Sequence, residues 1–159
     1  MDIALIEPEI PGNTGSIGRV AVGTGCRLHL VGKLGFDISA AAVRRAGLDY
    51  WEDVQLQRHP TVEGFFEAME GRRLWAYSSH GKLRYDTIGY QSDDVLVFGS
   101  ESAGLRPEVR ARLQDRLCYL PISPQIRSLN LANCVTAVVY EALRQQGFAG
   151  VDQRPILNP

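Results

Sequence analysis

Arg127, Ser128, Asn130 and Asn133 fall within one short run, R-S-L-N-L-A-N, set between an apolar strand-like segment and a long amphipathic helix. A guanidinium, a hydroxyl and carboxamides gathered just past the end of a strand suit recognition of a polar ligand, because open α/β sheets bind ligands at the carboxyl ends of their strands. Capping of the helix accounts for one of Ser128 and Asn130. It does not account for all four, and helical spacing sets Asn130 and Asn133 one turn apart on one side of the helix.

Two earlier loops also follow strands. In residues 7–19, Pro8 and Pro11 stiffen the chain, Asn13 or Thr14 is placed to cap the next helix, and three glycines allow a backbone or a ligand to come close. The loop lacks the Gly-Lys-Ser/Thr of a phosphate cradle, its glycines are spaced G-x-x-G-x-x-G, and no acidic residue closes the second strand to hold a ribose. Dehydrogenase chemistry is therefore disfavoured. Arg19 reads as a cation one turn into a helix, where the macrodipole opposes it, and a surface ion pair would explain it as well as a functional role. In residues 98–107, Pro107 marks a helix start, Gly99 permits a turn at the strand end, and Glu101 offers a carboxylate that alone reads as a cap or a solvated loop residue.

The elements that must position these loops alternate. Strand-like runs at 3–6, 27–31, 74–78, 95–98 and 117–122 are interleaved with helix-like segments from about 14, at 40–46, 61–70, 107–113 and 129–146. Such alternation predicts an α/β fold, a mostly parallel sheet flanked by helices. In the last helix Leu131, Val135, Val138, Val139, Ala142 and Leu143 share one face, and Phe65, Phe66 and Met69 form a core stripe in 61–70. Residues 147–159 are a polar tail.

The 159 residues suit one domain spanning 1–159, and 45% hydrophobic with 22% charged residues is ordinary for a globular chain. No apolar stretch is long enough to span a bilayer and no leader is evident, so a cytoplasmic protein without membrane contact is expected. Cys26, Cys118 and Cys134 have no C-x-x-C spacing and read as buried thiols; His29, His59 and His80 read as isolated, so no metal is expected. A net charge of -1 gives no global cationic field, and nucleic-acid contact would rest on local patches.

Taken in order, the three loops resemble the motifs of the ribose 2'-O-methylating branch of the SPOUT superfamily of RNA methyltransferases, and within it the small tRNA wobble-position enzymes of the TrmL type. Glu7 through Arg19 matches E-P-E-I-P-x-N-T-G-x-I-x-R, Phe98 through Leu105 matches F-G-x-E-x-x-G-L, and Arg127 through Val135 matches R-S-L-N-L-x-N-x-V, with further likeness at R-R-A-G-L-D-Y, 44–50. Ser16, Gly12 and Arg106 depart from the residues common there.

The resemblance implies a SPOUT fold with a C-terminal deep trefoil knot, which general topology rules would never suggest. It implies S-adenosyl-L-methionine as cofactor, held around Tyr77, Gly99, Leu120, Ile122, Ser128 and Leu129, and a reacting centre shaped by Arg19, Asn13, Glu101, Ser128 and Asn130. It also implies a homodimer with composite active sites, to which the apolar face of the last helix would contribute. The reaction implied is in-line attack of a ribose 2'-hydroxyl of nucleotide 34, cytidine or modified uridine, on a sulfonium methyl. Because guanidinium stays protonated in proteins, Arg19 is expected to stabilise developing alkoxide charge or clamp a phosphate rather than act as a base. With the chain starting at its first strand, no extra RNA-binding domain is expected. The tRNA anticodon stem-loop would then meet Lys33, Arg44, Arg45, Arg106 and the arginines that follow it, in a salt-dependent way. Ribosomal RNA as substrate, or a non-catalytic RNA-binding role, are the alternatives.

Overall fold

The computed structural model describes residues 1–39 and 48–151. The predicted helix 40–46, Arg44, Arg45 and residues 152–159 of the tail lie outside these.

Among the described residues seven strands form one sheet in the order β3-β2-β1-β6-β4-β7-β5, and every registered pairing is parallel. Third in this order is β1 (Asp2–Ile6), flanked by β2 (Arg27–Val31) and by the central strand β6 (Val95–Phe98). These strands are apolar runs because a parallel strand is covered on both faces and needs no polar side. The edges, β3 (Leu56–His59) and β5 (Leu83–Arg84), are short and largely exposed, and hydropathy did not predict them. Next to β6 lies β4 (Leu74–Tyr77), and beyond it β7 (Leu117–Tyr119). β7 ends three residues before its predicted limit, since Pro121 has no N–H to extend the ladder.

The strand β7 lies between β4 and β5, both of which precede it in sequence. The connection 78–82 crosses over it: Ser78 N donates to Cys118 O at 2.9 Å and Lys82 N to Leu117 O at 3.0 Å. At Gly81 this crossing is so close that a Cβ would collide with the Cys118 carbonyl.

Helix α1 (Pro11–Thr24) starts earlier than expected. Pro11 opens it, Ile10 occupies the cap without a side-chain bond, and Asn13 and Thr14 lie inside the first turn, so neither caps it. Two of its glycines, Gly15 and Gly18, serve packing: a Cβ on Gly18 would stand 2.7 Å from the Trp51 ring, and Tyr50 Oη donates to Gly15 O at 2.8 Å. Among the described residues the further α-helices are α2 (Val62–Ala68), α3 (Pro107–Arg112) and α4 (Leu131–Gln145). In α4, Val135, Val138, Val139, Ala142 and Leu143 are buried in one core cluster with Ile17 and Ala21 of α1. The apolar face of α4 is thus covered within the chain, contrary to the expectation that it needs a partner.

Two histidines are not isolated. His29, fully buried, sits with Nε2 3.2 Å from Asp2 Oδ2 and Nδ1 2.9 Å from His59 Nε2, and the Phe65 ring packs edge-on to both. With both rings neutral, Asp2 accepts from His29 and His29 accepts from His59. Burial raises the Asp2 pKa, but the His29 hydrogen bond and the nearby Arg72 charge outweigh it and hold the carboxyl below its ordinary value. Cys26 and Cys118 are buried free thiols, as expected, whereas Cys134 is only half-buried. Among the described residues no helix is long and apolar enough to cross a membrane.

Candidate functional site

A cleft of about 510 Å³ opens at the carboxyl ends of β4, β6 and β7, a volume suited to a small-molecule ligand. Tyr77, Gly99, Leu120, Ile122, Ser128 and Leu129 all line it, from three segments distant in sequence. So do Asn13, Glu101 and Asn130. The wall formed by Ser78, Ser79 and His80 was missed; its one signal was a polar tripeptide directly after a strand.

Loop 99–104 folds back on itself, with Gly104 N donating to Ser100 O at 2.9 Å and Ser100 N to Gly104 O at 3.2 Å. The left-handed residue of this turn is Gly104, at φ 66°, not Gly99. Gly99 is required for another reason: a Cβ there would run into the Gly104 carbonyl carbon and the Leu105 nitrogen. The sequence expectation identified the right residue with the wrong cause.

Tyr77 stacks on Phe98 with ring centroids 4.7 Å apart. Its hydroxyl lies 2.9 Å from that of Tyr90, whose own proton goes to Tyr85 O at 2.7 Å, so Tyr77 donates to Tyr90. Burial, and then Tyr90, push the Tyr77 phenol well above its ordinary pKa. Tyr77 therefore offers the cleft an aromatic wall and backbone groups, not an acid or base. Burial likewise pushes the Cys118 thiol up to about 12 and raises that of Cys134, which lines the cleft.

A polar chain joins the three loops. Glu101 accepts from Glu9 N at 2.8 Å, Ile10 N at 3.2 Å and Asn13 Nδ2 at 2.9 Å. Asn130 Nδ2 donates to Asn13 Oδ1 at 2.9 Å, while Asn130 Oδ1 caps α4 by accepting from Ala132 N and Asn133 N. Glu101 does not cap a helix; it holds the segment leading into α1 from across the cleft, with its charge near the positive end of that helix. Asn130 both caps and reaches the site.

Arg19 stands apart from this group. Because α1 starts at Pro11, Arg19 lies in the third turn, deeper than expected; its side chain is 70% exposed, and its guanidinium sits 4.1 Å above the Tyr50 ring and 4.0 Å from Asp49. It does not line the cleft. Arg106, expected to face RNA, donates to Glu7 Oε1 at 2.5 Å.

The profile of the SpoU rRNA methylase family matches residues 1–140. The chain belongs to the SpoU rRNA methylase family. Over 150 residues it is 46% identical to a tRNA (cytidine(34)-2'-O)-methyltransferase of Methylovorus glucosotrophus, covering 94% of this chain and 97% of that protein. A solved structure described as giving structural insights into the 2-OH methylation of C/U34 on tRNA superimposes with a TM-score of 0.86 at 41% identity, covering 92% of this chain and 95% of the other. The SpoU methyltransferase AviRb of Streptomyces viridochromogenes, solved in complex with AdoMet, gives a TM-score of 0.79 at 28% identity, covering 92% of this chain and 57% of that one. The parallel sheet is thus a fold that this chain shares with solved SpoU methyltransferases.

Proposed function

We propose that this chain is an S-adenosylmethionine-dependent methyltransferase that modifies the ribose 2'-hydroxyl of the wobble nucleotide of tRNA, cytidine 34 or a modified uridine 34. The observation that carries the reading is convergence: all six residues assigned to the cofactor and four of the five assigned to the reacting centre line one cleft. The names of the full-length relatives support the substrate, and a related structure solved with AdoMet supports the cofactor.

The cleft suits that cofactor. Gly99 lets the 99–104 turn close tightly at the cleft wall, where a side chain cannot fit, and Leu120, Ile122 and Leu129 give apolar walls. Adenine and ribose recognised by strand-end backbone groups between such walls is the usual makeup of a cofactor pocket. When bound, S-adenosylmethionine supplies an electrophilic sulfonium methyl group. The chain's own residues then chiefly have to align the ribose hydroxyl, a contribution on the order of 7 kcal/mol. Glu101, holding three N–H donors, orients Asn13 and the start of α1.

Arg19 is the fifth residue of the centre and lies outside the cleft of its own chain. A homodimer that brings Arg19 of one protomer to the cleft of its partner resolves this, and the exposed Ile10, Ile122 and Leu129 on the cleft wall support such contact. The trefoil knot belongs to the same proposal, supported by β7 lying between two strands that precede it. Substitution Arg19→Ala is expected to keep S-adenosylmethionine affinity and lower methyl transfer about 10²-fold or more. Calorimetry together with a tritium-transfer assay checks both; equal loss of the two defeats the assigned role. Mixing Arg19→Ala with Glu101→Ala protomers is expected to restore part of the activity, since composite sites then include one with both residues intact.

A further inference from the structure

We propose that Glu9 is a positioning residue that couples occupancy of the cleft to the RNA-facing helix α1; this rests on the function proposed above. Loop 98–107 and the segment leading into α1 exchange carboxylates. Glu101 reaches across to Glu9 N and Ile10 N, while Glu9 reaches back, accepting from Ser102 N at 3.0 Å and Ser102 Oγ at 2.8 Å. Glu7 adds a third link, to Arg106, from a backbone held at φ 52°, a conformation uncommon for any residue but glycine. These links join residues more than ninety positions apart in sequence, and most of them are exposed.

Exposed hydrogen bonds and ion pairs contribute little to stability. A reciprocal set of them, where a cleft wall meets the start of α1, fixes geometry instead. Glu101, Ser102, Ala103 and Gly104 wall the cleft, and so do Ile10 and Asn13 of the α1 side. A ligand that orders the first group must therefore order the second through Glu9 and Glu101. Since α1 carries Arg19, the cofactor would set the helix that meets RNA before RNA arrives. Glu101 also bonds Asn13 inside the site, whereas the Glu9 carboxylate bonds only Ser102 among the described residues. That makes Glu9 the cleaner place to cut the coupling.

The test measures binding of a tRNA transcript carrying cytidine 34 with and without saturating S-adenosylhomocysteine, and binding of S-adenosylhomocysteine alone by calorimetry. For the unsubstituted protein the cofactor product is expected to tighten tRNA binding at least about 5-fold, within the usual range of coupling between sites. In Glu9→Gln, which sets an amide N–H₂ against the Ser102 donors, each ligand alone is expected to bind within about twofold of normal and the enhancement to vanish. Ser102→Ala, with one of the two bonds removed, should give an intermediate enhancement, and melting curves establish that both variants are folded. Enhancement retained in Glu9→Gln overturns the proposal, as does weaker binding of both ligands at an unchanged ratio, the signature of a merely structural residue. Coupling absent from the unsubstituted protein that still binds both ligands overturns it too and leaves the function intact. If the unsubstituted protein fails to bind S-adenosylhomocysteine at all, both fall.

Discussion

The strand β6 has a carboxylate beyond each end, and the two are treated in opposite ways. Before it, Asp94 is fully buried and accepts from Arg73 Nε and Nη2 at 2.7 Å each, from Trp75 Nε1 at 3.1 Å and from Gln91 N at 2.8 Å. After it, Glu101 accepts from three N–H donors but stands at the wall of an open cleft. Saturated and dry at the amino end, bonded and ligand-facing at the carboxyl end: the first arrangement secures the sheet, the second holds loops in register for chemistry. Asp2 with His29, His59 and Arg72 belongs to the first kind.

That contrast is breakable at several points. The largest effect is expected for Asp94→Ala, which strands the Arg73 guanidinium and the Trp75 N–H; unfolding free energy should fall by about 4 kcal/mol, while the turnover of the folded fraction stays within about twofold. Urea denaturation beside an activity assay decides it, and a loss of turnover without loss of stability would erase the distinction. Glu101→Gln should do the reverse. Misplacing Asn13 and the α1 start is expected to lower turnover about 10²-fold, with unfolding free energy changed by less than about 1 kcal/mol.

A smaller effect separates the two regions by pH. Burial, then the neighbouring His29, make folded His59 harder to protonate than the same residue in the unfolded chain. Below about pH 6.5 the unfolded chain therefore binds more protons, and stability declines as pH falls from there. Asp2, with its pKa depressed, adds its own loss only below about pH 3.9. Melting temperatures between pH 7 and pH 5 should fall, and His59→Gln, which keeps a donor toward His29, should flatten the slope. An unchanged slope would place the titrating group elsewhere. The smallest effect is expected for Glu7→Gly. Relief of the left-handed backbone offsets the lost pair, so stability should move by less than about 0.5 kcal/mol, while the released Arg106 should make tRNA binding about twofold tighter and more salt-dependent. Weaker binding would mean that the pair itself presents Arg106 to RNA.

Legibility in the sequence followed the same division. The strands β2 and β6 match their predicted bounds and β1 differs by one residue, because burial on both faces makes a parallel strand an unbroken apolar run. The edges β3, L-Q-R-H, and β5, L-R, carry no such run; they exist because a neighbour offers a free ladder. The pairing of His29 with His59 joins residues thirty positions apart and has no local signal. At the site, residue types and their order sufficed to collect the cleft, but not to say how it is held. Glu9 looked like a motif letter and turned out to be half of a clasp. Pro11 is the true helix start, a weaker signal in the sequence than the capping chemistry of Asn13 and Thr14. The remoteness of Arg19 from its own cleft is a fact of tertiary placement that no spacing encodes.

The central claim, that this cleft directs a methyl group to the ribose of the wobble nucleotide, is tested most directly by incubating the protein with isotopically labelled S-adenosylmethionine and total RNA, then digesting the RNA and locating the label by mass spectrometry. The account predicts label on the 2'-oxygen of nucleotide 34 of tRNA and nowhere else. Label on a base, at another tRNA position or in ribosomal RNA, or none at all, would contradict it.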